Sequence, residues 1–456
     1  MRAETGSLWF ETALLPQGWA PHVRITHAEG VITQIETGAA PAPNEPRYFA
    51  AIPGLANVHS HAFQRGMAGL AERRGASTDN FWSWRDIMYR FLDRITPEDC
   101  AALAAQAYME MLESGFTRVA EFHYLHHDEA GKPYANVAEM AERIAEAAKM
   151  SGIGLTLLPV FYAHANFDCS APHHGQRRFI TNLDQFSGLV AASRRAIKSL
   201  DGARLGVAPH SLRAATPGEI AAIIPFAEGG PIHIHAAEQT KEVADCEAWH
   251  GRRPVELLLE QVGIDAQWCL IHATHMADFE VQRLALSGAV AGLCPITEAN
   301  LGDGVFPTPD FTKVSGRVAI GSDSNIMIDA ASELRQLEYA QRLRMRARNI
   351  LANGAGFSTG RSLFDAALRG GAQAIGIKRP GLIVGSVADM IAFDQNAACF
   401  VGRSGDALLD SWIFASHGSA IAHVWCAGVP VVTAGRHWAR ERIVAQYRTA
   451  MNRILA

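Results

Sequence analysis

The sequence predicts a (β/α)8 barrel of the TIM type, joined to a small β-sandwich module built from the N- and C-terminal segments. Three observations predict it. Short apolar runs alternate with longer helical patterns through the middle of the chain, as expected of βα units on a parallel sheet. Eight such runs occur, the number that closes a barrel. Strand-like pieces return at both ends of the chain, which suggests one small sheet closed by the two termini.

Residues 7–14 read as the first strand. Residues 22–27 and 31–36 flank Ala28-Glu29-Gly30, a hairpin-like turn. The Pro-rich stretch 39–46 reads as a crossing linker. The eight barrel strands are expected at 49–58, 118–122, 154–161, 204–208, 231–236, 268–272, 289–294 and 317–321. The helix after the first strand has a clear start, with Thr96 as N-cap, Pro97 at the first position and Asp99 three residues after the cap. Gly115 is its expected end. Residues 390–393, 420–426 and 429–433 return to the terminal module, and 436–456 look helical. The expected division is a composite β module from residues 1–50 and 380–440, a barrel over 51–379 and a helix over 441–456.

Composition narrows the function. Of 456 residues, 48% are hydrophobic and 19% charged, which suits a globular chain with a large core. A net charge of −5 offers no basic excess for phosphates, so no nucleic-acid partner is expected. No run of about 18 apolar residues appears, so no membrane partner is expected. The N-terminus lacks the apolar stretch of a signal peptide. Seven scattered cysteines without a CxxC pair argue against a disulfide framework or a cysteine-type zinc site, and for a reducing cytoplasm. The nineteen histidines stand out, because several cluster.

His59-Ser60-His61 follows an apolar strand, and alternate strand residues share a face. Both imidazoles can converge on one point in the barrel mouth. His235 ends the fifth strand, with Glu238 three residues beyond; His272 ends the sixth and Asp323 the eighth. Each piece alone has a structural reading: His233 or His272 as a satisfied core histidine, Asp323 as a helix cap. Together they fall at the C-terminal ends of strands 1, 5, 6 and 8, the face where barrel active sites lie. Imidazole suits zinc, and a free carboxylate beside a metal-activated water can move its proton.

In order and strand position, His59, His61, His235, Glu238, His272 and Asp323 resemble the pattern of the amidohydrolase superfamily. The resemblance spans nearly the whole chain, including residues 385–390 (GSVADM), where the terminal module resumes. It implies metal ligation by His59, His61, His235 and Asp323, with Glu238, His272 and Asp323 as catalytic groups. Binuclear members carry a bridging Lys after the fourth strand; here Val207-Ala208-Pro209-His210 has none, which implies one metal. That metal is expected to be Zn2+, although such a donor set also takes iron, manganese or cobalt.

Polar groups near the mouth point to a substrate. Gln64, Arg85, Tyr124, His210 and Arg213 all fall near strand ends, and two arginines suggest carboxylate recognition by bidentate forks. Residues 57–66 (NVHSHAFQRG), 81–85 (FWSWR), 209–214 (PHSLRA), 233–239 (HIHAAEQ) and 294–304 (CPITEANLGDG) resemble the formimidoylglutamate deiminase family of histidine degradation. That resemblance places those five residues around the glutamate part of the substrate. The rival readings are another deaminase of the superfamily, acting on a purine, pyrimidine or guanidine compound, and a non-catalytic barrel scaffold. A homodimer is the expected assembly. Trp82 and Trp84 read as packing groups, and the stretch 297–302 as pocket-shaping or loop-closing without a catalytic role. His123, His126 and His127 fit no further ligand set, and His173-His174 reads as a surface pair.

Overall fold

The computed structural model describes residues 5–75, 79–417 and 420–456. Eight parallel strand positions form the barrel. They are Leu55–Ser60, Phe116–His123, Gly154–Phe161, a broken fourth strand (Arg204–Leu205 and Ala208–Pro209), Ile232–Ala236, Trp268–His272, Val290–Leu293 and Arg317–Ile320. Two parallel sheets hold strands 1–4 and 5–8. Bridges from Val207 to Ile232 and from Ser211 to His235 join them on one side, and Ser60 to Asp323 closes the ring on the other. These strands are buried along almost their whole length, as expected of a parallel sheet covered by helices.

The terminal module is an eight-stranded sheet formed by both chain ends. Its N-terminal strands are Gly6–Leu15, Gly18–Ala28, Val31–Glu36 and Arg47–Pro53. The hairpin turn works because Glu29 and Gly30 both take positive φ, 49° and 79°. The module has its own core, with Phe10, Val23, Ile25, Ile32, Met390 and Trp425 buried together. A buried ion pair, Arg118 to Asp389 at 2.5 Å, fastens it to the second barrel strand.

Three expectations are corrected. The apolar run 49–58 is two strands: Arg47–Pro53 pairs with Gly6–Leu15 in the terminal sheet, and Leu55–Ser60 enters the barrel. Gly54 is the crossing point, where an added Cβ would lie 2.2 Å from the Thr117 side chain. The fourth barrel strand is broken into two short pieces. The C-terminal stretch is not all helix: Arg436–His437 pairs as an edge strand before the helix Arg440–Leu455. That helix packs on Pro97–Glu113, with Arg440 paired to Glu113 and Arg453 to Asp99. Thr96 and Asp99 form the expected capping box at the start of Pro97–Glu113.

Candidate active site

The barrel's closing seam builds the centre of the site. Asp323 donates its backbone N–H to His59 O (2.9 Å), and His61 donates to Asp323 O (3.0 Å). The backbones approach so closely at Gly321 that a Cβ there would sit 2.8 Å from the His59 nitrogen. Asp323 takes φ 45°, a strained conformation for a residue with a side chain. A buried amide and hydroxyl network holds it: Asn57 Nδ2 donates to Ser322 Oγ (2.6 Å), Ser322 Oγ to Asn325 Oδ1 (2.6 Å), and Asn325 Nδ2 to Ser60 Oγ (3.2 Å).

His59, His61, His235 and Asp323 come together, each offering one ligand atom with all four within 4.8 Å of one another. Asp323 Oδ1 is 3.3 Å from both His59 Nε2 and His61 Nε2, and His235 Nε2 is 3.0 Å from His59 Nε2. Backbone carbonyls orient two of the rings. His61 Nδ1 donates to Phe122 O and His235 Nδ1 to His210 O, each at 3.0 Å, which leaves their Nε2 lone pairs facing the cluster. Burial pushes all three imidazoles below their ordinary pKa, and neutral rings are what a metal requires. Lone pairs converging on one carboxylate oxygen repel without a cation among them, so the donor set fits a divalent transition metal.

Glu238 and His272 stand beside this cluster. Glu238 Oε1 lies 4.0 Å from His272 Nε2, and its Oε2 lies 3.9 Å from Arg213 Nη2. Burial pushes the Glu238 carboxyl up to about 7, opposed by His272 and Arg213. Its loop is braced by Glu242, which accepts the backbone N–H groups of Ala237 (3.3 Å) and Glu238 (3.2 Å). His272 Nε2 is 3.7 Å from Asp323 Oδ2. Burial works to lower the His272 pKa, but Glu238, Glu298 and Asp323 outweigh it and raise the ring to about 10.

One pocket collects the rest. Gln64, Arg85, Tyr124, His210 and Arg213 line it together with His61, His235, Glu238, His272 and Asp323, while His59 is buried beneath. Gln64 Nε2 donates to the Tyr124 hydroxyl at 2.8 Å. His210 packs against the Tyr162 ring, 4.6 Å between centroids. His123, His126 and His127 are buried and join no metal cluster among the described residues; His173 and His174 are exposed.

Sequence reasoning missed two things. Glu298 is engaged in the site: its Oε1 accepts from Cys294 N (2.9 Å) and faces His272 Nδ1 at 3.1 Å. Its place five residues past the seventh strand's end was the available signal. The second is Trp82, which is no plain packing group: the Arg85 guanidinium lies 4.5 Å from its ring centre and that of Arg213 5.6 Å. Trp84 lines the pocket directly. His272, Cys294 and Asp323 form another tight trio, but it shares Asp323, and burial near carboxylates pushes the Cys294 thiol well above its usual range.

A barrel with this donor set at its strand ends defines a metal-dependent hydrolase, and the comparisons agree. The chain belongs to the amidohydrolase family, whose model matches residues 50–431. Residues 8–48 match a second model, the N-terminal domain of formimidoylglutamate deiminase HutF. The formimidoylglutamate deiminase of Pseudomonas aeruginosa is 48% identical over 98% of this chain and 99% of its own. A 5-methylthioadenosine/S-adenosylhomocysteine deaminase of Natronomonas pharaonis is 28% identical over 84% of this chain and 81% of its own. Among solved structures, an amidohydrolase from Brucella melitensis superposes with a TM-score of 0.96 at 52% identity, covering 99% of this chain and 100% of that one.

Proposed function

We propose that this chain hydrolyses N-formimidoyl-L-glutamate to N-formyl-L-glutamate and ammonia, with His59, His61, His235 and Asp323 holding one zinc ion. One observation carries the reading: two guanidiniums, Arg85 and Arg213, share a pocket with that donor cluster. The substrate has two carboxylates for the guanidiniums and one amidine carbon for the metal end. A purine or pyrimidine would leave both cations unmatched. The relative from Pseudomonas aeruginosa carries this activity in its name.

Zinc held by these side chains would supply Lewis acidity and bring the pKa of water toward neutrality. Glu238, with a pKa of about 7, is suited both to take a proton and to return it at neutral pH. Water adds its oxygen to the formimidoyl carbon and gives a proton to Glu238. Glu238 delivers that proton to the imine nitrogen and then carries the adduct's remaining hydroxyl proton to the same nitrogen; the carbon–nitrogen bond breaks, ammonia leaves with both water protons, and the water oxygen stays as the formyl oxygen. His272 Nε2, close to both Glu238 and Asp323, donates toward the oxygen of the tetrahedral adduct. Glu298 keeps that ring turned by accepting from Nδ1. Gln64, Tyr124 and His210 orient the glutamate part.

The reading extends to a homodimer acting in the cytoplasm. All seven cysteines are free, which supports a reducing compartment, and two-fold dimers are the commonest closed assemblies. No described helix is long and apolar enough to cross a membrane.

Arg213→Ala tests the substrate. Loss of a buried guanidinium facing a carboxylate raises KM for N-formimidoyl-L-glutamate by roughly 10- to 100-fold in steady-state assays. An unchanged KM would contradict the assignment.

A further inference from the structure

We propose that Trp82 is a positioning residue that makes the pocket select dicarboxylates, because its indole holds the Arg85 and Arg213 guanidiniums together as a pair. The inference rests on the reading above for the identity of the substrate. Two cations facing one pocket repel each other, and each loses hydration on burial. The carboxylates of Glu242 and Glu238 offset this cost for Arg213 through space, but neither hydrogen-bonds to it. The Nε of Arg85 and that of Arg213 are both buried with no hydrogen-bond partner, and the nearest carboxylate oxygen to Arg213 is that of Glu238, 3.9 Å away.

What the two arginines share is one ring. The guanidinium carbons of Arg85 and Arg213 lie 4.5 Å and 5.6 Å from the Trp82 ring centre. Tyr89 stands 5.6 Å from Arg85, and Phe81 6.0 Å from Arg213. The face of an indole carries negative potential, the strongest among aromatic side chains, so it attracts both cations at once. It does so without occupying their N–H edges, which stay free to fork onto carboxylates.

The ring is itself held in place. Trp82 opens the helix Phe81–Leu92, and its backbone N–H donates to Asn80 Oδ1 at 2.9 Å within the capping box. Phe81 meets it edge-on, 5.1 Å between ring centroids. The pocket wall is made by Trp84 rather than by Trp82, so Trp82 acts through the two arginines and not on the substrate.

The test measures binding of glutarate and of butyrate to the purified chain by calorimetry, with turnover of N-formimidoyl-L-glutamate alongside. Glutarate has two carboxylates and no amidine; butyrate has one. The parent binds glutarate more tightly than butyrate. Trp82→Leu weakens glutarate about tenfold and leaves butyrate within threefold, and Trp82→Phe restores most of the loss. KM follows the glutarate change, with kcat within twofold and metal content unaltered. Equal losses in the Leu and Phe variants, or a fall in kcat at constant KM, would overturn the inference. If Trp82→Leu does not fold, Trp82→Phe decides: its weaker face raises KM two- to threefold, and an unchanged KM refutes the role. Trp82-dependent glutarate binding without ammonia release would sink the proposed reaction and leave the clamp standing. Ammonia release with full glutarate selectivity in Trp82→Leu would do the reverse.

Discussion

Removing the Glu298 carboxylate isolates how His272 is controlled. Glu298 is 5% exposed, its Oε1 lies 3.1 Å from His272 Nδ1, and the same oxygen accepts the Cys294 N–H at 2.9 Å. A buried hydrogen bond to a charged group contributes about 1.5–3 kcal/mol, and each 1.4 kcal/mol is a factor of ten in rate. Glu298→Ala therefore lowers kcat by roughly 10- to 100-fold, the range common for groups that orient a catalytic histidine. KM changes little, because Glu298 is not part of the substrate pocket wall. Glu298→Gln keeps an oxygen acceptor for Nδ1 and recovers much of the rate. Steady-state kinetics on both variants, with a melting curve to exclude general unfolding, decides the matter. A kcat within twofold of the parent in Glu298→Ala would refute the orienting role.

Other outcomes follow from the same geometry. Glu238→Gln abolishes turnover while metal content, measured by atomic emission, stays unchanged, because Glu238 lies outside the four-residue donor cluster; a near-normal rate would remove it from the proton path. Glu121 is a fully buried carboxyl that accepts from Ala62 N at 2.7 Å, and burial pushes it up to about 8. Its folded pKa exceeds the unfolded one, so the folded chain binds the proton more tightly and stability falls as pH rises from about 4.5 to about 8, then levels off. The slope is on the order of 1 kcal/mol per pH unit, and Glu121→Gln flattens it. Parallel melting-temperature profiles for parent and variant would contradict this.

The clustering of the donor side chains was legible because a two-residue period on a strand fixes which side chains share a face, so His59 and His61 had to converge once their strand was placed. Asp323 and His235 followed from the rule that barrel strands end on one face. The division at Gly54 was not legible, because strands buried on both sides read as one apolar run across the crossing point. Glu298 and Trp82 were missed for a different reason. Each has a partner far away in sequence: Glu298 is 26 residues from His272, and Trp82, one helical turn from Arg85, also meets Arg213 across the pocket. Spacing within a segment puts Glu298 near a strand end and Trp82 one turn from Arg85, but it does not show that they meet His272 and Arg213.

The central claim is that one metal-centred pocket carries out deimination of a dicarboxylate amidine. Ammonia release from N-formimidoyl-L-glutamate by the purified chain, with zinc quantified in the same sample, tests it most directly. The account predicts rapid release with about one zinc per chain, the stoichiometry of a single four-ligand catalytic site. Stoichiometric zinc without release would contradict the substrate assignment, and release from metal-free protein would contradict the role of the histidine and aspartate cluster.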